Sequence, residues 1–161
     1  MPLTQLRTFL DSHNIKYVVI SHSIAYTAQG IAALTHIPGG QLAKTVIVNV
    51  NGQLTMAVVP APSHVDLARV KEQLKANSVE LASELDFKNR FPDCETGAMP
   101  PFGNLYGMTV LVDEGLAHLE EIAFNAGSHR ELVRMAWSDF ERLVSPRLLK
   151  LTTGKTAKTA A

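Results

Sequence analysis

Residues 45–59 read TVIVNVNGQLTMAVV, two largely apolar runs that meet at Asn51-Gly52. Valine and isoleucine favour extended backbone because their branched side chains pack well on a pleated surface. Asn-Gly is a strong signal for a two-residue β-hairpin, since both residues of a type I′ turn need positive φ. The sequence therefore predicts an antiparallel hairpin with one strand at 45–50 and its partner at 54–59.

Further helices and strands are predicted on both sides of this hairpin from apolar periodicity and turn residues. Ser63 is expected to cap a helix whose Leu67, Val70 and Leu74 face inward, and Ser138 to cap the last helix. The last helix is predicted at 139–144, and the other helices at 3–13, 28–34 and about 83–89. The further strands are predicted at 17–20, 109–112, 121–125 and 131–136. Because helices and hairpins are interspersed, and the clearest strand pair is antiparallel, the predicted fold class is α+β.

The size and composition of the chain fit one ordinary globular domain. It has 161 residues, of which 46% are hydrophobic and 19% charged. We assign residues 1–150 to a single domain and residues 151–161 to a peripheral C-terminal tail. Lys plus Arg and Asp plus Glu number 15 each, so the net charge is zero. A net charge of zero argues against a large basic surface that binds nucleic acid along its length, but it is compatible with a small basic entrance to one site.

The cellular compartment is indicated by cysteine content and by the lack of long apolar segments. A single cysteine, Cys94, leaves no internal disulfide, as is typical of reducing compartments. Residues 1–20 have no long apolar core of the kind found in signal peptides. No run approaches the ~18 apolar residues of a membrane span. We therefore expect a cytoplasmic protein without membrane contact.

Lys44 is the first candidate functional residue. It stands at the start of the most apolar predicted strand, directly before Thr45. Most lysines at strand ends are solvated charges. The functional alternative is a fixed cation that binds a phosphate or polarises a carbonyl group.

A second candidate is the segment Gly97-Ala98-Met99-Pro100-Pro101-Phe102-Gly103, within a long loop predicted at 91–104. Prolines stiffen this segment, and an X-Pro bond in it could be cis. Glycine permits positive φ and close approach of the backbone to a ligand, so that successive amides can point into one cavity and bind an anion. The alternative is a plain surface turn, although long loops inside compact domains are usually functional.

The third candidate is Asn125-Ala126-Gly127-Ser128-His129, a turn between two predicted strands in which His129 opens the second strand. A lone histidine is more often structural than functional. The alternative is a hydrogen-bonding group, or a proton carrier near neutral pH. Cys94 lies near the Gly97 segment, and we interpret it as a spectator thiol rather than a nucleophile.

Several familiar types of site have no counterpart in the sequence. Its six histidines form no HExxH motif and no Cys/His cluster, so neither a metal nor a cofactor is expected. There is no G-x-S-x-G nucleophile elbow, no P-loop and no G-x-G-x-x-G motif.

Taken in order, the candidate segments resemble the YbaK family, which includes the editing domain inserted in bacterial prolyl-tRNA synthetases. The resemblance covers about residues 15–145. The matching segments are Ser21-His22-Ser23, Tyr26-Thr27-Ala28-Gln29, Ile31-Ala32-Ala33-Leu34, Leu42-Ala43-Lys44-Thr45-Val46, the G-x-x-x-P loop at 97–101, and Gly127-Ser128-His129.

The resemblance implies a mixed, mostly antiparallel sheet flanked by helices, and hydrolysis of the ester that joins an amino acid to the terminal adenosine of tRNA. It implies that Lys44 is the essential lysine of the family. Gly97 and Pro101 match the loop whose backbone amides hold the substrate carbonyl, and His129 resembles the histidine of synthetase-type members. Members specialised for alanine tend to follow the lysine with asparagine, whereas Thr45 follows it here.

An aminoacyl ester is already activated, so its hydrolysis requires a placed water and a stabilised oxyanion rather than a full catalytic triad. Our hypothesis assigns the carbonyl or oxyanion to the amides of residues 97–101, the terminal phosphate or ribose to Lys44, and the amino acid or sugar to His129. These groups are expected to converge on one small cavity. The further predicted substrate-binding residues are Thr27, Thr45, Ala98, Met99, Pro100, Pro101, Phe102, Gly127 and Ser128.

The expected partner is the acceptor end of aminoacyl-tRNA, with an aminoacyl-tRNA synthetase as a candidate to deliver it. The amino acid removed stays open among alanine, cysteine, serine and threonine, because size selection depends on pocket shape. Two other functions are kept as alternatives. One is a non-catalytic module that binds tRNA or a nucleotide, and the other is a cysteine hydrolase that uses Cys94 with His129.

Overall fold

The part of the chain that the structure describes contains five α-helices and eight β-strands, joined by turns and loops. The structure is a computed structural model, and it describes residues 2–25, 28–87, 89–92, 94–95 and 97–152. The helices are α1 (Pro2–Ser12), α2 (Ala28–Thr35), α3 (Leu67–Leu74), α4 (Glu84–Phe87) and α5 (Trp137–Val144). The strands are β1 (Tyr17–Ser21), β2 (Leu42–Val50), β3 (Gln53–Pro60), β4 (Val79–Leu81), β5 (Thr109–Asp113), β6 (Glu121–Asn125), β7 (Glu131–Ala136) and β8 (Arg147–Leu149).

All eight strands belong to one mixed sheet. Its order is β1-β7-β6-β2-β3-β5-β8, and β4 pairs with β2 outside this path. The pairs β1–β7, β6–β7, β2–β3 and β2–β4 are antiparallel. The pairs β2–β6, β3–β5 and β5–β8 are parallel. The predicted α+β class, with a mixed and mostly antiparallel sheet, is therefore confirmed.

The hairpin predicted from residues 45–59 lies at the centre of this sheet. β2 and β3 pair from Ala43 opposite Pro60 to Val50 opposite Gln53, so the hairpin is longer than predicted at its open end. The φ angles of the two turn residues, 51° and 85°, are both positive, as the Asn-Gly turn requires.

The other edge of β2 is shared by two strands. Leu42 and Ala43 pair with β6, whereas residues 48–50 pair with β4. Within the described part of the chain, no strand pairs with residues 44–46 on this edge. The sheet is therefore split alongside the middle of β2, next to Lys44.

Apolar clusters cover both faces of the sheet. The main cluster contains Ala43 and Ile47 of β2 together with buried residues of α1, α5 and the loop before β5. Two smaller clusters contain Leu42, packed with α2, and Val48, packed with α3. Because successive side chains of a strand point to opposite faces, the smaller clusters lie on the face opposite to the main cluster.

Both predicted serine caps are wrong, and tertiary contacts are found near both helix starts. α3 begins after Asp66, whose carboxylate accepts a hydrogen bond from the N–H of Arg69 at 3.1 Å. The chain between Ser63 and Asp66 is held by neighbouring backbone, since the N–H of Asp66 donates to the carbonyl of Leu151 at 2.7 Å.

α5 begins at Trp137, one residue before the Ser138 predicted as its cap. The preceding residue, Ala136, makes no side-chain capping bond. Instead the N–H of Trp137 donates to the carbonyl of Glu120 at 2.8 Å. A backbone carbonyl therefore satisfies one of the orphan donors at this helix end, and no serine cap is needed.

Three smaller features also differ from the expectations. Leu151 and Thr152, at the start of the predicted tail, are buried, whereas residues 153–161 lie outside the described residues. All peptide bonds between described residues are trans, so the cis X-Pro bond considered for the loop is not found. His129 lies in the turn before β7 instead of opening that strand.

No described helix has the length and apolar character needed to span a bilayer.

Candidate functional site

Lys44 and Asn125 lie side by side where β2 and β6 separate. The last residue pair of these two strands is Ala43 with Phe124, and Lys44 and Asn125 are the next residues of each strand. Because Ala43 and Phe124 belong to the main cluster, alternation directs Lys44 and Asn125 to the opposite face. Neighbouring strands are about 4.8 Å apart, so the two side chains are within reach of one small ligand.

Lys44 is a partly desolvated cation. Its side chain is half-buried, and burial lowers the pKa of Lys44 below the ordinary lysine value. Neither of the ion pairs found between described residues includes it. Since burial without a carboxylate partner disfavours the charged form, an incoming anion stabilises this lysine.

Asn125 carries an unusual buried acceptor. Its side-chain oxygen Oδ1 is buried and has no hydrogen-bond partner among the residues that the structure describes. Leaving such a group unpaired costs on the order of 1–3 kcal/mol, so a ligand or a water that donates to it is strongly favoured. The sequence placed Asn125 in a candidate segment without giving it a role. Its position as the last strand residue before Gly127 is the signal that could have singled it out.

Gly97 brings the loop backbone against His129. Its φ is 83°, which glycine adopts without strain, and a Cβ built on it would lie 3.7 Å from Cε1 of the His129 ring. Gly97 is exposed and His129 is half-buried. The first residue of the G-x-x-x-P loop and the predicted histidine are therefore neighbours, as the hypothesis requires.

The side chains that follow Gly97 face the core. Ala98, Met99 and Phe102 are almost fully buried, and Pro100 and Pro101 are buried as well. The ring of Phe102 packs against three other aromatic rings, those of Phe9, Phe124 and Phe140. These five side chains support the loop, so any contact with substrate is left to its backbone.

Few amides of this loop are free to bind an anion. Pro100 and Pro101 have no N–H. The N–H of Ala98 donates to the carbonyl of Glu95 at 3.0 Å, and the N–H of Phe102 donates to the carbonyl of Pro100 at 2.8 Å. Within the described residues, this leaves the N–H groups of Gly97 and Met99 without a partner. The predicted ring of amides over residues 97–101 is thus corrected to two donors.

Four hydrogen bonds hold the loop and the turn at 127–129 together, three of them between the two segments and one within the loop. The N–H of Glu95 donates to the carbonyl of Gly127 at 2.8 Å, and the N–H of Gly127 donates to the carbonyl of Ala98 at 2.8 Å. The third is the Ala98–Glu95 bond just described. In the fourth, Oε1 of the Glu95 carboxylate accepts a hydrogen bond from the N–H of His129 at 2.7 Å. We call this set the Glu95 clasp.

The remaining predicted residues have varied surroundings. Ser128 is buried, and its hydroxyl donates to the Glu131 carboxylate at 3.2 Å, so it holds the turn together. Thr45 is half-buried, pairs with Val58 and faces the main cluster by alternation. Thr27 lies outside the described residues. The sulfur of Cys94 lies 3.5 Å from the hydroxyl of Tyr106.

The two cavities described in the structure lie away from these residues. One, of about 650 Å³, is lined by α3, β8 and neighbouring residues. The other, of about 310 Å³, is lined by His13, Arg142 and Leu143. No hydrogen bond joins Lys44 to residues 97–101 in the described part of the chain, so their convergence on one cavity stays a prediction.

Comparison with known protein families gives one match that spans most of the chain. A family model for the aminoacyl-tRNA editing domain matches residues 22–143. The matched region includes Lys44, the G-x-x-x-P loop and His129.

Individual relatives agree with that match. The multifunctional Ser/Thr-tRNA deacylase ProXp-y of Escherichia coli strains K12 and O157:H7 is 25% identical over 150 residues, covering 90% of this chain and 89% of the relative. The structure of hypothetical protein APE2540 superposes with a TM-score of 0.82 at 17% identity, over 91% of this chain and 98% of the other. A structure provisionally described as a trans-editing enzyme for prolyl tRNA synthetase superposes with a TM-score of 0.81 at 18% sequence identity, over 95% of this chain and 98% of the other. At these identities the two structures establish the fold.

Proposed function

The chain belongs to the family of aminoacyl-tRNA editing domains, and from this premise we propose that it is a trans-editing deacylase that removes a small amino acid from mischarged tRNA. As a member, it is a hydrolase of the ester bond between amino acid and tRNA. We propose serine and threonine as the first substrates, with alanine and cysteine next. The observation that carries this order is the alignment of 90% of the chain with a relative named as a Ser/Thr-tRNA deacylase.

The chemistry of the substrate explains why few catalytic groups are needed. An aminoacyl ester has a vicinal ribose hydroxyl and a nearby ammonium group, and both make the carbonyl more reactive. The enzyme must hold a water against this carbonyl and stabilise the negative charge that develops on its oxygen. In our proposal the ribose hydroxyl of the substrate orients the water.

Lys44 is proposed to hold the nucleotide end of the substrate. It is a half-buried cation beside the split in the sheet, and no carboxylate pairs with it among the described residues. A phosphate or ribose oxygen of the terminal adenosine supplies the missing partner. Binding there fixes the ester relative to the sheet.

The N–H groups of Gly97 and Met99 are proposed to hold the ester carbonyl and the oxyanion derived from it. Backbone donors suit this task because they are already oriented by the fold and do not reorganise as charge develops. The prolines at 100 and 101 and the buried Phe102 ring hold the loop in place. His129, which lies against Gly97, is proposed to contact the amino acid or the sugar.

Asn125 supports the preference for hydroxyl amino acids. Its buried, unpaired Oδ1 is an acceptor that the hydroxyl of serine or threonine can satisfy, whereas the methyl group of alanine cannot. Sites that bind a substrate hydroxyl discriminate well against analogues that lack it, because the polar group of the site is then left unpaired. We therefore propose that Asn125 contacts the substrate side chain.

A synthetase is proposed to deliver the charged tRNA in the cytoplasm. The net charge of zero suggests few phosphate contacts of the chain itself. The solved neighbour described as acting for prolyl tRNA synthetase makes that enzyme the first partner to test. Co-sedimentation of the two proteins with and without tRNA would measure this.

The proposal is tested with a panel of tRNAs charged separately with serine, threonine, alanine, cysteine and, as a size control, phenylalanine. Each is incubated with purified protein, and the remaining ester is measured over time. We expect rapid loss of Ser-tRNA and Thr-tRNA and no acceleration for Phe-tRNA. Hydrolysis of every member at the uncatalysed rate would contradict the proposal.

The same assay separates this mechanism from a cysteine hydrolase. A nucleophilic thiol is indispensable, whereas in our proposal Cys94 only contributes to packing near Tyr106. Cys94→Ser is therefore expected to keep activity within about twofold of wild type, since serine is similar in size. A folded but inactive Cys94→Ser protein would restore the thiol mechanism.

A further inference from the structure

The Glu95 clasp joins two segments that are far apart in sequence. The carboxylate of Glu95 and the N–H of His129 are separated by 34 positions and lie 2.7 Å apart. Glu95 is solvent-exposed, and an exposed glutamate loses side-chain entropy when it is held in one geometry. Here a short, charge-assisted hydrogen bond offsets that loss, since such bonds are about twice as strong as neutral ones.

The clasp lies between the groups to which the proposed function gives roles. Glu95 precedes Gly97 by two residues, and its carboxylate binds the backbone of His129 itself. Its own N–H and carbonyl are bonded to Gly127 and Ala98, so both segments are fixed from one residue. Loss of the clasp is therefore expected to alter the spacing between the Gly97 backbone and the His129 ring, where a Cβ built on Gly97 would be in ordinary van der Waals contact with the ring at 3.7 Å.

We propose that Glu95 is a positioning residue for ester hydrolysis, which acts by fastening the G-x-x-x-P loop to the turn at 127–129. This inference rests on the proposed function. Glu95 acts as a hydrogen-bond acceptor for the N–H of His129, a task that a neutral amide oxygen in the same place can also perform with a weaker bond. A displacement of about 1 Å between catalytic groups can lower a rate by about 10²-fold. Loss of the clasp is therefore expected to lower the rate of the hydrolysis step itself.

The test compares Glu95→Ala, which removes the acceptor, with Glu95→Gln, which keeps a side-chain oxygen in the same place. Asp86→Ala is the matched control, because the exposed carboxylate of Asp86 also accepts a backbone N–H, that of Ser83 at 2.9 Å, in a different segment. Single-turnover hydrolysis of Ser-tRNA gives the rate of the chemical step and the affinity separately. Hydrogen exchange of the His129 N–H, followed by NMR, reports on the clasp without reference to activity.

We expect Glu95→Ala to lower the single-turnover rate about 10- to 100-fold, with affinity for tRNA within about threefold of wild type. Exchange of the His129 N–H should accelerate in the same variant. Glu95→Gln should keep both the rate and the protection within about threefold, and Asp86→Ala should change neither.

Three outcomes would overturn the role of Glu95 in an active wild-type protein. They are a full rate in Glu95→Ala, unchanged exchange of the His129 N–H in that variant, and a loss in Glu95→Gln as large as that in Glu95→Ala. The last would mean that the charge matters, as it does when a carboxylate binds the substrate ammonium. A wild-type protein that is inactive on every charged tRNA would instead overturn the proposed function.

Discussion

Lys44 and Asn125 show how two ordinary residues become a candidate site through their neighbours. Each is the first residue beyond the pairing between β2 and β6, and each has a polar side-chain group that finds no partner among the described residues. A lone lysine or asparagine carries little functional signal in a sequence. Their shared position, one on each side of the split, is what makes a joint role in binding testable.

Replacement of Lys44 is the first test at this scale. Lys44→Ala is expected to lower deacylation by at least about 10²-fold, because loss of the contact with the nucleotide end misplaces the ester relative to the loop amides. The assay is single-turnover hydrolysis of Ser-tRNA. Lys71→Ala, on the exposed side of α3, removes an equal charge away from the split and should leave the rate unchanged. Full activity of Lys44→Ala would reject the role of this lysine.

The protonation of Lys44 gives a second test. Because burial lowers the pKa of Lys44, the side chain loses its proton, and hence its attraction for anions, at a lower pH than an exposed lysine does. Affinity for adenosine monophosphate should therefore fall as pH rises through this lowered pKa, which calorimetry can follow. Lys44→Arg stays charged throughout and should not show the decline. A wild-type affinity that does not change with pH would count against the phosphate contact.

Asn125 is tested through substrate preference. Asn125→Ala should lower the rate on Ser-tRNA relative to Ala-tRNA about five- to tenfold, the value of one hydrogen bond. Asn49→Ala is the control, because the Oδ1 of Asn49 is also buried and unpaired among the described residues, but near the other end of β2. An equal effect of both changes would mean that Asn125 acts on stability and not on specificity.

At the scale of elements, the loop before β5 is supported by aromatic packing. Phe102 is completely buried, and its ring centroid lies 5.4–6.0 Å from those of Phe9, Phe124 and Phe140. Three elements, α1, β6 and α5, therefore contribute to holding the residues next to Gly97. This packing and the two prolines both restrict the segment at 97–102.

Phe102→Ala is expected to lower the free energy of unfolding by about 3–5 kcal/mol, the usual cost of removing a buried aromatic ring. Chemical denaturation measures the loss. Leu85→Ala is the control, because Leu85 is 78% exposed and its truncation should change stability by less than about 0.5 kcal/mol. A Phe102→Ala protein as stable as wild type would show that the ring does not support the loop.

The elements that the sequence predicted well are those with strong local signals. The hairpin followed from Asn51-Gly52, and the bounds of β6 and β7 match the prediction because apolar residues and turns delimit them. β4 and β8 were missed, since strands of three residues are too short to show a periodic pattern. The caps were missed because Leu151 and Glu120, distant in sequence, supply hydrogen bonds near the starts of α3 and α5.

For the candidate site, the sequence indicated which residues to consider but not how they are arranged. It indicated Lys44, Gly97 and His129, and the structure brings the last two together. The number of free amides was overestimated, although the lack of an N–H on Pro100 and Pro101 could have been noted in the sequence itself. Glu95 could not be found from its sequence position, because its role depends on a contact with a turn 34 residues away.

At the scale of the whole molecule, the order of strands determines which candidate residues meet. β6 lies beside β2 in parallel, although 70 residues separate the end of β2 at Val50 from the start of β6 at Glu121. No local pattern predicts such a pairing. It depends on how both strands bury their apolar faces between the main cluster and α2.

The split alongside β2 has a consequence for how such an enzyme diversifies. Lys44 is carried by a central strand that is fixed by partners on both edges, whereas Gly97 and His129 are carried by a loop and a turn at the rim. In our proposal, the contact with the nucleotide thus depends on β2, whereas the contacts with the ester depend on the loop and the turn. Exchange of the loop, the turn and the adjoining Asn125 between homologous scaffolds is therefore expected to change which amino acid is removed from tRNA while the contact with the common adenosine end is kept.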